Sequence, residues 1–161
     1  MNDMATNPYD AVAYPGHAFE QTHPARLATI AHFHGMQAAP SHAMRVLELG
    51  CGRGGNLIPM AAQHRESRFV GIDLSGSAIA EAKRATAEIG VENVVFHHRD
   101  ILAVGPELGS FDYILVHGVY SWVPDAVREA IMALIGGLLA PQGIAYVSYN
   151  ALPGCRLRDL A

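Results

Sequence analysis

The run Glu48-Leu49-Gly50-Cys51-Gly52-Arg53-Gly54-Gly55 places an acid two residues ahead of closely spaced glycines. Glycines at this spacing let a turn bring backbone N–H groups against a ligand, as a nucleoside cofactor requires. Taken alone, the run is a weak signal, with an ordinary strand-to-helix turn as its alternative. Glu48 can face a cationic group such as the α-amino group of a methionine moiety, or be a solvated or capping acid. Asp73 follows Gly50 by 23 residues, where an acid ending a second strand can accept both hydroxyls of an adenosine ribose. Capping of the next helix is its alternative, although Ser75 already offers that. Asp100 can accept from an adenine exocyclic amine while Ile101 packs beside the ring; an exposed loop acid is the other reading.

These residues need strand ends to present them. Arg45 to Leu49, Arg68 to Asp73, Val94 to His98, Phe111 to Val116 and Ile144 to Tyr149 are short apolar runs bounded by turn residues, as strands are. Helices are expected from about Asn56 to His64, with Pro59 tolerated in the first turn, and from Ser75 as cap to Ile89 with Gly90 as stop. A further helix is expected from Asp125 to about Ile135. Upstream, Thr22-His23-Pro24 reads as a helix start and Gly35 as its end, with Leu27, Ile30 and Ala31 at helical spacing.

Nearly continuous apolar strands alternating with helices predict a parallel sheet covered on both faces, a doubly wound, Rossmann-like α/β fold. Ligands then bind at the carboxyl ends of the strands. Residues 1–44 are expected to form a leader and cap helix and residues 45–161 the cofactor-binding domain.

The set Glu48-x-Gly50-x-Gly52-x-Gly54, Asp73, Asp100 and Leu139-Ala140-Pro141-Gln142-Gly143 resembles the class I S-adenosylmethionine-dependent methyltransferases over roughly Arg45 to Tyr149. The flanks Tyr9-Asp10, Phe19 to Leu27, His117-Gly118-Val119-Tyr120-Ser121-Trp122-Val123-Pro124 and Ala145 to Asn150 with Pro153-Gly154 narrow the likeness. They resemble the bacterial methyltransferases with a C-terminal regulatory domain, a group that includes the rickettsial protein lysine methyltransferases. The resemblance implies strand order 3-2-1-4-5 and S-adenosyl-L-methionine as cofactor. It implies cofactor contacts from Glu48, Gly50, Cys51, Gly52, Gly54, Asn56, Asp73, Leu74, Asp100, Ile101 and His117.

In this fold the residues after strand four lie nearest the methyl group, so His117 and Tyr120 are the catalytic candidates and Trp122 a further acceptor-side residue. His117 can be a general base, a cofactor contact or a structural hydrogen-bonding group. Tyr120 and Trp122 can form an aromatic wall for an amine, or pack the loop on the following helix. In the leader, Tyr14, Phe19, Gln21 and His23 are expected to fold over the cofactor as a lid, or else to cover an end of the sheet. Class I enzymes continue past strand five into an antiparallel pair, and this chain ends at Ala161. A truncated or split form is therefore expected, with the edge at Ile144 to Tyr149 open to self-association or to a missing C-terminal part.

Composition sets outer limits. Half of the 161 residues are apolar and 16% are charged, the balance of one globular domain rather than of a disordered chain. Ten Arg and the single Lys83 are scattered and the net charge is −4, so nonspecific nucleic-acid binding is not expected. Met1 to Asp10 does not read as a signal peptide, and Ala130 to Ala140 is too short to span a bilayer. Cys51 and Cys155 do not make a disulfide framework, which points to a reducing, cytoplasmic setting. His32-x-His34 and His97-His98 lack companions at zinc-like spacing, so no metal is expected.

The methyl acceptor, protein or small molecule, is not legible. No Asp- or Asn-Pro-Pro-aromatic segment, the mark of DNA amino-group methylation in related enzymes, follows strand four. A nicotinamide dinucleotide oxidoreductase is the rival chemistry, because Gly50, Gly52 and Gly55 also fit G-x-G-x-x-G. Glu48, Asp100 and Pro141-x-Gly143 have no place in it. A cofactor-binding fragment without turnover is the non-enzymatic alternative.

Overall fold

The computed structural model describes residues 16–40, 42–151 and 153–155. Its five strands are β1 (Arg45–Leu49), β2 (Arg68–Asp73), β3 (Val94–His98), β4 (Phe111–Val116) and β5 (Leu139–Val147). They form one parallel sheet in the order β3-β2-β1-β4-β5. The helices are α1 (Pro24–Phe33), α2 (Leu57–Gln63), α3 (Gly76–Ile89) and α4 (Asp125–Leu138).

Strand periodicity divides the core. Val46, Phe69, Tyr113 and Leu115 face a cluster that takes in Leu27 of α1, Leu57 and Met60 of α2, and Ile79 of α3. Leu47, Leu49, Ile72, Ile114 and Val116 face the opposite cluster, sealed by Ile131, Leu134, Ile135 and Leu138 of α4. Each such side chain, taken fully from water, contributes about 1.5–3 kcal/mol before the chain's ordering cost is counted. Helices cover both faces of the sheet, and the strand order reverses between β1 and β4. At such a reversal a doubly wound sheet takes its ligands beside the carboxyl ends of the strands.

Local signals explain the helix ends. His23 Nδ1 accepts from Ala25 N–H at 3.2 Å ahead of Pro24 in α1. Ser75 Oγ accepts from Ala78 N–H at 3.1 Å to start α3, and Gly90, at φ +66°, ends it. The last helix and strand differ from expectation. Helix α4 runs through Gly136 and Gly137 to Leu138 because Leu134, Ile135 and Leu138 are buried on its inner face, which outweighs the two glycines.

β5 follows at once and ends at Val147, two residues before the expected Tyr149, which is 69% exposed. Leu139 pairs with Phe111, and regular pairing resumes only at Ile144 with Tyr113. The bulge between them holds Pro141, which has no ladder N–H to give, and Gln142 at φ +64°. Thus Leu139-Ala140-Pro141-Gln142-Gly143 is an irregular beginning of the strand rather than a turn leading into it. Among the described residues β5 is an edge strand.

Candidate functional site

The glycine loop leaves β1 beneath two constraints. Gly50, Gly52 and Gly54 all have positive φ, at 79°, 52° and 75°. A Cβ on Gly50 would lie 2.3 Å from Val119 Cγ2, and one on Gly54 would lie 2.6 Å from the Phe96 ring. A Cβ on Gly52 would meet nothing within 4 Å, so its backbone borders open space. The Cys51 side chain turns the other way: its Sγ would lie 2.8 Å from a Cβ on Gly71, the thiol is buried, and burial pushes its pKa up. Cys51 therefore lines the core, and only its backbone belongs to the loop.

Glu48 is buried, and its Oε1 accepts from Asn56 Nδ2 at 2.8 Å. Its Oε2 is buried and has no hydrogen-bond partner among the described residues. Burial raises its pKa from 4.5 to about 7, the Asn56 hydrogen bond opposes the rise, and the charge of nearby Asp73 adds to it. An orphaned carboxylate oxygen of this kind fits a cationic ligand group, which would restore the missing partner and favour the ionised form.

Asp73 and Asp100 stand at the ends of adjacent strands. Asp73 Oδ2 accepts from Gly52 N–H at 2.7 Å and Oδ1 from Ser75 N–H at 2.8 Å. Each oxygen keeps a further acceptor position, so the side chain can brace the loop and still take hydroxyl donors. Asp100 is exposed, and its Oδ1 accepts from Leu102 N–H at 2.9 Å, capping a short 3-10 turn over Ile101–Ala103. Ile101 is half-buried against the α4-side core, and Leu74 is 40% exposed.

On the other side of β1 from β2, His117 follows β4. Its ring lies 4.1 Å from that of Phe19 and 6.0 Å from that of Tyr146. Its Nδ1 is buried without a partner among the described residues, and burial lowers the imidazole pKa, which keeps the ring neutral at pH 7. Tyr120 packs against the α4-side core while its carbonyl accepts from Arg128 Nε at 2.9 Å. Trp122 is 66% exposed.

Of the leader residues expected to form a lid, Phe19 reaches the site. Gln21 is exposed, and His23 caps α1 with its ring 5.5 Å from that of His64; Tyr14 lies outside the described residues. The tie that sequence reasoning missed is Thr22. It is fully buried, its Oγ1 lies 3.0 Å from Asn56 Nδ2, and Asn56 Oδ1 accepts from Phe19 N–H at 3.0 Å. The partners are 34 residues apart in sequence, and nothing local marks a threonine for such a pairing. The contact between Val119 and Gly50 was equally hidden.

Among the described residues no group of three or more His, Cys, Asp or Glu side chains could hold a metal ion. No helix there is long and apolar enough to cross a membrane.

A parallel doubly wound sheet with a glycine loop at its strand-order reversal and an acid at each of three neighbouring strand ends defines a nucleoside-cofactor domain. Residues 46–143 match the model of the methyltransferase domain family, and the chain belongs to that family. It is 45% identical over 148 residues to protein RP789 of Rickettsia prowazekii (strain Madrid E), covering 92% of this chain and 27% of that one. It is 38% identical over 151 residues to RP028 of the same organism, covering 94% of this chain and 60% of that one. The structure of PKMT2 from Rickettsia typhi in complex with AdoHcy superposes with a TM-score of 0.88 at 38% identity, covering 91% of this chain and 28% of that one. The chain thus spans between about a quarter and three fifths of the length of these relatives.

Proposed function

We propose that this chain binds S-adenosylmethionine at the carboxyl ends of β1, β2 and β3 and acts as the donor side of a methyltransferase whose acceptor is a protein amine. The observation that carries the reading is the buried Glu48 Oε2, without a partner among the described residues, beside a glycine loop that Asp73 braces. The AdoHcy complex of PKMT2 supports the same cofactor. When bound, S-adenosylmethionine supplies a sulfonium methyl group that needs no further activation.

In this reading Glu48 holds the ammonium of the methionine moiety. Asp73 accepts the ribose hydroxyls, and Gly50, Gly52 and Gly54 allow the backbone of the loop to come close. Asp100 takes the adenine amine, with Leu74 and Ile101 beside the ring and Asn56 supporting Glu48. His117, neutral at pH 7, accepts the proton that an alkylammonium acceptor must lose before it can attack. Phe19 shields that imidazole from water, while Tyr120 and the exposed Trp122 line the approach of the acceptor. Two free cysteines fit a reducing, cytoplasmic setting.

Calorimetric titration of the purified chain with S-adenosylmethionine, S-adenosylhomocysteine and NAD, beside Asp73→Ala, tests the cofactor. Binding of the first two and its loss in the variant is expected; binding of NAD alone would overturn the proposal. Transfer of labelled methyl to lysate protein, stable to mild base, tests the amine, because methyl esters would release their label.

A further inference from the structure

Asn56 occupies the residue just before α2, the position where an asparagine ordinarily accepts from the free N–H groups of the first turn. It makes no such bond. Its amide turns inward, with Nδ2 on Glu48 Oε1 at 2.8 Å and on Thr22 Oγ1 at 3.0 Å. Its Oδ1 takes the Phe19 N–H. Thr22 Oγ1 also donates to Phe19 O at 2.8 Å, which closes the leader turn on itself. All three side chains are buried, at 0% exposure for Thr22, 4% for Asn56 and 3% for Glu48. The same stretch of leader lies close on the loop, where a Cβ on Gly55 would fall 2.7 Å from the Gly16 backbone. One amide therefore joins the acid of the cofactor site to the turn that lays Phe19 on His117.

The orientation of that amide depends on the charge of Glu48. An ionised carboxylate only accepts, so it holds the Asn56 NH2 toward itself and leaves Oδ1 for the Phe19 N–H. A protonated carboxyl can donate, and it then tolerates the flipped amide. In the flipped state the NH2 opposes the Phe19 N–H, donor against donor, and the leader loses its anchor. A cation beside Oε2 keeps Glu48 ionised and so excludes the flipped state.

We propose that Thr22 and Asn56 are positioning residues that report the cofactor's amino group, through Glu48, to the leader, so that residues 16–23 dock over His117 when that amino group is bound. This rests on the cofactor assignment above and adds an order to the reaction: the acceptor side is assembled after the cofactor has entered. By reciprocity, a docked leader tightens the hold on the cofactor by the same factor.

The test compares S-adenosylhomocysteine with 5′-methylthioadenosine, which keeps the nucleoside and sulfur but lacks the amino-acid portion. Hydrogen exchange is followed at the backbone amides of residues 19–23 in the whole chain. In the unaltered protein S-adenosylhomocysteine should slow exchange there by about tenfold or more and methylthioadenosine should leave it as in the free protein. Thr22→Val should abolish the slowing and weaken S-adenosylhomocysteine about tenfold, with the affinity for methylthioadenosine unchanged, and Thr22→Ser should restore both. Equal protection by the two ligands, or equal loss of affinity for both in Thr22→Val, would overturn the coupling and leave the cofactor assignment standing. The two-ligand comparison decides the matter even if Thr22→Val fails to fold. Failure of the unaltered chain to bind S-adenosylhomocysteine would overturn the assignment itself.

Discussion

Asp73 Oδ2 accepts the Gly52 N–H at 2.7 Å, so the acid that ends β2 also holds the loop that leaves β1. Its other oxygen takes the Ser75 N–H at 2.8 Å. Asp73→Asn keeps the shape but has one acceptor oxygen for two backbone donors and brings an NH2 of its own. A loss of about 1–3 kcal/mol is expected, read as a fall of several degrees in Tm, together with loss of S-adenosylhomocysteine binding in calorimetry.

Glu48 gives stability a distinctive pH dependence. With its pKa raised by burial from 4.5 to about 7, the folded state binds a proton that the unfolded state has released in that interval. The contribution is therefore fully present below about pH 4.5 and is lost as pH rises through about 7, a change on the order of 3 kcal/mol. Urea unfolding of Glu48→Gln should lack this decline. Binding of S-adenosylhomocysteine at pH 7 should release protons in the unaltered protein, seen as a buffer-dependent calorimetric enthalpy, and this release should vanish in the variant.

Two glycines of one loop should respond differently to alanine. Both have positive φ, which costs an L-residue about 1–2 kcal/mol. Gly50→Ala adds a clash at 2.3 Å with Val119 Cγ2 and should be destabilised well beyond that range, whereas Gly52→Ala, with nothing within 4 Å, should stay within it. Thermal unfolding separates the two, and Gly52→Ala should fold yet bind S-adenosylhomocysteine more weakly.

Trp122, in the segment that follows β4, is 66% exposed. Trp122→Ala should change stability by no more than about 0.5 kcal/mol and leave S-adenosylhomocysteine affinity as it was. If the ring guides the acceptor, labelled methyl transfer to protein should fall at limiting acceptor; unchanged transfer would remove Trp122 from the site.

Much of this architecture is written locally. The first four strands match the apolar runs, Ser75 and Gly90 bracket α3, and the acids fall at strand ends because each sits where an apolar run stops. Legibility fades where burial and local preference conflict. Gly136 and Gly137 argue for a helix end that the inner face of α4 overrides, and the β5 bulge carries no local pattern that sets its length.

The periodicities, the glycine loop and the three acids are readable in the chain alone, since these depend on neighbours within a few residues and on the chemistry of single side chains. Folding in three dimensions is what turns Cys51 to the core, buries Glu48 with one oxygen left without a partner among the described residues, and brings Thr22 and Phe19 to Asn56 from more than thirty residues away. Those facts depend on which surfaces meet across the sheet, and a hydrogen bond between distant segments leaves no spacing in the chain from which it could be inferred.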